Sequence, residues 1–157
     1  MGETVARKGD EGKAVWMLGG LYEIKVAGEE TNGAVTVMRM TVPPGLGAPP
    51  HTHPGNESVI VLAGRLEYNI GDEVFEGGAG SVFNIPEGTL EHFTAIGDEN
   101  LEILAVYTPG GIDKFFEEAG ERALSRELPP PSDTPPDFER LVAIGQRYGM
   151  VIQAPPS

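Results

Sequence analysis

Turn-forming residues divide most of this chain into short segments. Among its 157 residues are 22 glycines and 14 prolines, and between Val35 and Tyr107 they separate runs rich in apolar and β-branched residues, with no helical period. Seven strands are predicted there, at residues 35–42, 57–63, 65–70, 73–75, 81–85, 92–96 and 101–107. Two more apolar segments, residues 14–18 and 21–26, precede them and are split by Gly19-Gly20. The pattern predicts an antiparallel sandwich or barrel.

Helical spacing begins after Pro109. One helix is predicted to end at Gly120, and five prolines between residues 128 and 136 then make a stiff connection. A second helix is predicted to be capped by Thr134 and ended by Gly149. The apolar positions of the two helices are Ile112, Phe115, Phe116 and Ala119, then Phe138, Leu141, Val142, Gly145 and Tyr148. Since both apolar faces need covering, we expect the helices to pack on the outside of the barrel.

These patterns divide the chain into three parts. We expect a flexible N-terminus over residues 1–12, a β-barrel over residues 13–108 and a helical tail over residues 109–157. All three lie within the length of an ordinary single domain.

Composition excludes several classes of function. The formal net charge is −13, so phosphate backbones and anionic lipid repel the chain, and we expect neither a nucleic-acid nor a membrane partner. The absence of cysteine excludes disulfides, thiolate catalysis and zinc–thiolate sites. No secretory signal is evident in the first ten residues, so the expected compartment is the cytoplasm.

The three histidines of the chain point to a metal site. His51 and His53 flank one residue, so on an extended segment both imidazoles face the same way. Glu57 follows at the start of a predicted strand and can add a carboxylate. Two imidazoles and a carboxylate suit one divalent ion of Mn, Fe, Co, Ni or Zn.

The glycines around these residues complete a recognisable motif. Gly45, His51, His53, Glu57 and Gly64 fit G-x5-H-x-H-x3-E-x6-G without a mismatch. This is the first signature of the cupin superfamily, and the chain resembles a single-domain cupin. The resemblance implies an all-β double-stranded β-helix, a jelly-roll barrel of the cupin type, with two short C-terminal helices.

The second cupin signature, G-x5-P-x-G-x2-H-x3-N, is matched only in part. Gly80, Pro86 and Gly88 fit, but Glu91 stands where the histidine is expected and Ala95 where the asparagine is expected. An ungapped register turns Glu91 inward, whereas a bulge at residues 89–90 would turn His92 inward instead. Either residue can be the fourth ligand, so both alternatives remain open at this point.

The tail after Pro109 resembles that of quercetin-dioxygenase-like cupins, which implies a metal-dependent dioxygenase acting on a small flavonol- or enediol-like substrate. Glu57 would then be both ligand and general base. Two alternatives remain open: a non-catalytic or weakly catalytic cupin that binds a metal or small molecule, and a metal-assisted isomerase or decarboxylase. The resemblance also implies a homodimer, with Ile60 and Leu62 as candidates for its apolar face.

Overall fold

Alternation of apolar and polar residues builds two antiparallel sheets, seen in a computed structural model that describes residues 2–153. In β3, and in β10 up to Tyr107, alternate side chains are buried and the others half-buried, as expected of strands with one face on a core. The strands are β1 Lys13–Met17, β2 Gly20–Val26, β3 Thr36–Val42, β4 Gly47–Thr52, β5 Asn56–Ala63, β6 Arg65–Ile70, β7 Glu73–Gly77, β8 Val82–Ile85, β9 Glu91–Ile96, β10 Leu101–Thr108, β11 Glu121–Arg122 and β12 Val151–Ile152.

The two sheets face each other across one apolar core. One has the strand order β11-β1-β2-β3-β10-β5-β8 and the other β12-β4-β9-β6-β7. Side chains from both sheets and both helices form a single buried cluster. The predicted fold class is confirmed: the chain is a double-stranded β-helix with two short helices.

Strand β4 was not among the seven predicted strands. It contains Pro49 and Pro50, which have no N–H for a sheet ladder. The pairing of β4 with β9 accommodates them by a register shift between Ala48 and His51, which places one extra residue on β4. The bulge therefore lies on β4 at the prolines, and the predicted alternative at residues 89–90 is not observed.

The first hairpin turns one residue earlier than the sequence suggested. Met17 pairs with Gly20, so Leu18 and Gly19 form the two-residue turn and Gly20 already belongs to β2. Both turn residues have positive φ, 49° and 81°, as a type I′ turn requires.

The N-terminal segment, expected to be flexible, has many contacts in the structure. Residues 2–12 contain no helix or strand, but the Arg7 guanidinium donates two hydrogen bonds of 2.8 Å to the Glu30 carboxylate. The Lys25 ammonium donates to the carbonyls of Gly9 and Glu11 at 3.0 and 2.9 Å. These bonds attach the segment to β2 and to the turn that follows it.

The two helices lie where the apolar spacing predicted them. Helix α1 is Asp113–Ala119 and α2 is Phe138–Arg147. The N-cap of α2 is Asp137, whose carboxylate accepts from the Arg140 N–H at 3.0 Å, and not Thr134. Both helices add side chains to the barrel core. Within residues 2–153, no helix has the length and apolar character needed to cross a membrane.

Candidate metal centre

Three neighbouring segments bring four candidate ligands together. His51 lies near the end of β4 and His53 just after it, Glu57 lies on β5 and Glu91 begins β9. His51 is paired with Glu91 in the β4–β9 ladder. The bulge at the prolines sets that pairing, so it also helps to set which side chains meet inside the barrel.

The four side chains converge on one point. One ligand atom from each of His51, His53, Glu57 and Glu91 lies within 4.8 Å of all the others. His53 Nε2 is 3.0 Å from both Glu57 Oε1 and Glu91 Oε2, and His51 Nε2 is 3.7 Å from Glu91 Oε1. His53, Glu57 and Glu91 are buried and His51 is nearly so.

Backbone carbonyls orient both imidazoles. His51 Nδ1 donates to the Pro49 carbonyl at 2.7 Å, and His53 Nδ1 lies 3.3 Å from the Pro54 carbonyl. Since a carbonyl can only accept, these contacts place a proton on Nδ1 and direct Nε2 toward the carboxylates. Nε2 is then the nitrogen available to a metal ion.

Of the two alternatives for the fourth position, the structure places Glu91 in the cluster. Glu91 is only 1% exposed, and the Tyr68 hydroxyl donates a 2.7 Å hydrogen bond to its Oε1. His92 is half-buried, lies on the opposite face of β9 and pairs across the ladder with Asn69. His92 is therefore not among the grouped ligands.

Burial and mutual contact shift the pKa values of these groups. Burial disfavours charge on His53, but its hydrogen bonds to Glu57 and Glu91 outweigh this and raise its pKa to about 10. Burial raises the pKa of Glu57 to about 7. Burial also opposes the charge on Glu91, yet the hydrogen bond to His53 and the nearby His51 hold its pKa below the ordinary value. Burial lowers the pKa of His51.

The donor set and its charge suit a divalent cation. Ligands at right angles around an ion at about 2.1 Å are about 3.0 Å apart, which is the spacing of His53 from each carboxylate oxygen. When both imidazoles are neutral, as metal binding requires, the two buried carboxylates carry two negative charges, which is costly unless they are compensated. A divalent ion supplies that compensation, and mixed nitrogen and oxygen ligands suit Mn, Fe, Co, Ni or Zn.

A small apolar cavity of about 50 Å³ opens beside the cluster. Its walls come from β1 to β5, β9 and β10, from α1 and from the segment after α2. The sequence did not indicate most of these lining residues, because they are far apart in the chain. The missed aromatic, methionine and isoleucine residues are Tyr22, Met40, Tyr107, Phe115, Phe116, Met150 and Ile152.

Comparison with known proteins agrees with the fold. Residues 38–107 match the family model described as Cupin domain, a stretch that contains all four clustered ligands. Residues 38–107 form a cupin domain. Sequence comparison with curated proteins finds no match.

Solved structures share the fold at low sequence identity. An RmlC-like cupin from Shewanella frigidimarina is 14% identical, with a TM-score of 0.61 over 69% of this chain and 93% of that one. A predicted oxalate decarboxylase from Thermotoga maritima is 24% identical, with a TM-score of 0.57 over 68% and 99%. KdgF from a Halomonas species is 18% identical, with a TM-score of 0.54 over 61% and 85%. At these identities the likeness concerns the fold alone.

Proposed function

We propose that this cupin is a metal-dependent dioxygenase that cleaves a small, uncharged enediol-like substrate. The observation that carries the proposal is a cluster of two imidazoles and two carboxylates, three of which line an apolar cavity. Within residues 2–153, His51, Glu57 and Glu91 are the titratable side chains other than tyrosine that border this cavity. Such a site can hold an ion and still leave room for a small molecule.

Cavity size and charge narrow the substrate class. At about 50 Å³, the cavity is far below the ~300–1,000 Å³ of sites for drug-sized ligands. A three-ring flavonol would therefore have to displace the aromatic wall, whereas an acyclic enediol fits more easily. No lysine or arginine among residues 2–153 lines the cavity, so it offers no cationic partner for a substrate carboxylate such as those of oxalate.

Glu57 has the properties of a general base. Its carboxylate is buried beside the cavity, and burial raises its pKa to about 7, close to the value at which a base works best at neutral pH. A hydroxyl proton of the substrate would pass to a Glu57 oxygen. A bound divalent ion would act as a Lewis acid and favour the deprotonated substrate oxygen.

Two further groups hold the geometry around that base. Tyr68 donates to Glu91 and keeps its carboxylate in place. Burial raises the pKa of Tyr107 well above its ordinary value, so its hydroxyl stays protonated beside Glu57. The apolar walls exclude water from the reacting carbon atoms.

The proposed reaction is balanced without a further reductant. The enediol carbon–carbon double bond breaks, each of its carbons gains one oxygen atom from dioxygen, and two carboxylic acids result. Glu57 returns its proton to product.

The test is oxygen uptake by protein loaded separately with Mn, Fe, Co, Ni or Zn and supplied with acyclic enediols and flavonols. We expect oxygen uptake with at least one of these metals. With ¹⁸O₂, both product acids should contain the label, and the Glu57→Gln variant should take up no oxygen. His92→Ala, a change outside the cluster, should retain activity. Product formed without oxygen would favour an isomerase or decarboxylase, and metal binding without turnover would favour a binding role.

We also propose that the protein is a homodimer. Leu62, on the face of β5 opposite Glu57, is 42% exposed, and Val82 on the neighbouring strand β8 is 63% exposed. Exposed aliphatic side chains on adjacent strands are typical of a surface that meets another chain.

A further inference from the structure

The tip of the first hairpin borders two separate spaces. Met17 and Leu18 line the cavity beside the metal centre. The same two residues line a groove of about 880 Å³, whose other walls include Trp16, Leu46 and the proline-rich segment 128–136. The hairpin tip therefore lies between a small space beside the candidate ligands and a much larger groove.

Leu18 has an unfavourable backbone conformation at this tip. Its φ is +49°, in the left-handed region that costs a residue with a β-carbon roughly 1–2 kcal/mol. Within residues 2–153, the other non-glycine residue with positive φ is Asn32, a type that tolerates this region. Type I′ turns favour asparagine, aspartate or glycine, so leucine is an unusual residue at this position.

The turn conformation directs an apolar side chain to the boundary between the two spaces. Leu18 is half-buried and packs against the barrel core. Gly19 next to it lies so close to Leu46 that a β-carbon at position 19 would be 2.5 Å from Leu46 Cδ1. Gly19 therefore packs against Leu46 on the groove side of the turn, while Leu18 lines the cavity as well as the groove.

We infer that Leu18 is a specificity-determining residue that separates the cavity from the groove and so limits the length of the ligand at the metal centre. The inference rests on the proposed function for the identity of the ligand, but the separation is a property of the fold. A ligand with a short carbon chain ends at Leu18. A longer one can extend into the groove beside Trp16 only when that side chain is removed.

The probes are straight-chain hydroxamic acids, whose two oxygens bind metal ions and whose chain length can be varied. Protein loaded with Co(II) is titrated with acetohydroxamic, butanohydroxamic and octanohydroxamic acid, and the change in the visible Co(II) spectrum gives each dissociation constant. We compare wild type, Leu18→Ala and Leu18→Gly. Leu46→Ala is the matched control, because Leu46 lines the groove but not the cavity.

For wild type and Leu46→Ala we expect affinity to fall beyond the shortest chain. In both Leu18 variants we expect acetohydroxamic acid to bind as before, and affinity to rise by up to about fourfold for each added methylene that becomes buried in the groove. The longest chain should also change the fluorescence of Trp16, the single tryptophan of the protein. Equal dependence on chain length in wild type and both Leu18 variants would overturn the inference.

Two measurements test the role of Leu18 without a metal ion. Crystal structures of the metal-free wild type and Leu18→Ala should show two separate spaces and one continuous space, respectively; any other result overturns the separation. Leu18→Gly should melt higher than Leu18→Ala, because only glycine removes the strain at positive φ, and the reverse order would contradict a strained turn. If acetohydroxamic acid fails to bind wild type, the proposed metal centre fails while these measurements still decide the role of Leu18.

Discussion

At the scale of single residues, the position of His53 between two carboxylates determines how the protein responds to pH. The pKa of His53 is raised from 6.5 to about 10 in the folded protein. The stability that this shift contributes is fully present below pH 6.5 and is lost as pH rises through about 10. The pKa of Glu57 is raised from 4.5 to about 7. The stability that this shift contributes is likewise lost as pH rises from 4.5 through about 7. The metal-free protein should therefore become less stable as pH rises.

We expect the melting temperature of chelator-treated protein to fall by several degrees between pH 6 and pH 9. With Mn(II) or Zn(II) bound, the ion compensates both carboxylates and the fall should be much smaller. Circular dichroism melts at each pH measure both. His92→Ala should retain the pH dependence because His92 lies outside the cluster, and a melting temperature that does not change with pH in the metal-free protein would contradict the account.

Tyr68 offers a second prediction at this scale. Its hydroxyl donates to Glu91 Oε1 at 2.7 Å, so Tyr68→Phe frees the carboxylate to turn and should weaken metal binding about 10–100-fold. Competition with a coloured chelator measures the affinity. Tyr148→Phe is the matched control, because it removes a 2.6 Å hydrogen bond to Glu118 that lies outside the cluster. Equal affinities for both variants would show that Tyr68 does not position Glu91.

Sequence reasoning at this scale identified the candidate ligands but could not choose between Glu91 and His92. Strand alternation has a period of two, so one extra residue anywhere in the pairing exchanges the two faces. The extra residue lies on β4, at Pro49 and Pro50, and not next to Glu91. The hydrogen bond from Tyr68 to Glu91 could not be predicted, because it depends on a β6–β9 register that no local pattern contains.

At the scale of elements, α1 is attached to the barrel by one buried carboxylate. Asp113 is 1% exposed and accepts from the Gly28 N–H at 2.9 Å and from the Thr36 hydroxyl at 2.8 Å. Thr36 in turn accepts from the Gly111 N–H at 2.9 Å. This network joins the helix, the turn before β3 and β3 itself.

We expect Asp113→Ala to lower the free energy of unfolding by about 2–4 kcal/mol, because it leaves buried donors without an acceptor. Asp137→Ala is the comparison: it removes an exposed N-cap of α2 and should cost about 1 kcal/mol. Urea unfolding measures both. Equal losses would mean that the buried network is no more important than an ordinary cap.

The elements differ in how well they could be predicted. The apolar spacing of α1 and α2 gave their positions within a few residues, since that signal is local. Strand β4 escaped prediction because prolines argue against a strand, and only pairing with β9 and β12 shows that the segment is one. The N-cap is Asp137 and not Thr134 because the proline-rich segment forms no helix before Phe138.

At the scale of the whole molecule, both the barrel and the C-terminal tail line the cavity. Phe115 and Phe116 of α1, with Met150 and Ile152 after α2, line the space beside His51. The spacing of apolar residues predicted a helical tail packed outside a barrel, but not that the tail would also border the site. Only the closed three-dimensional fold brings residues so distant in sequence to one wall.

The last prediction concerns assembly. Ile60 on β5 pairs with Val82 on β8, and Leu62 and Val82 are both well exposed, so the outer face of this sheet presents adjacent aliphatic side chains to solvent. A second copy can cover them by two-fold symmetry. Light scattering of the wild type should give twice the 16.7 kDa mass of one chain.

Charge placed on that face should separate the copies. Leu62→Asp combined with Val82→Asp puts four like charges into a two-fold interface, and we expect a mass of 16.7 kDa with an unchanged circular dichroism spectrum. Leu124→Asp is the control, because Leu124 is 83% exposed and lies in the segment after α1, outside that sheet face. If the wild type has the mass of one chain, or if the double variant stays dimeric, this face is not the dimer interface. Neither result would concern the barrel core, which lies within each copy.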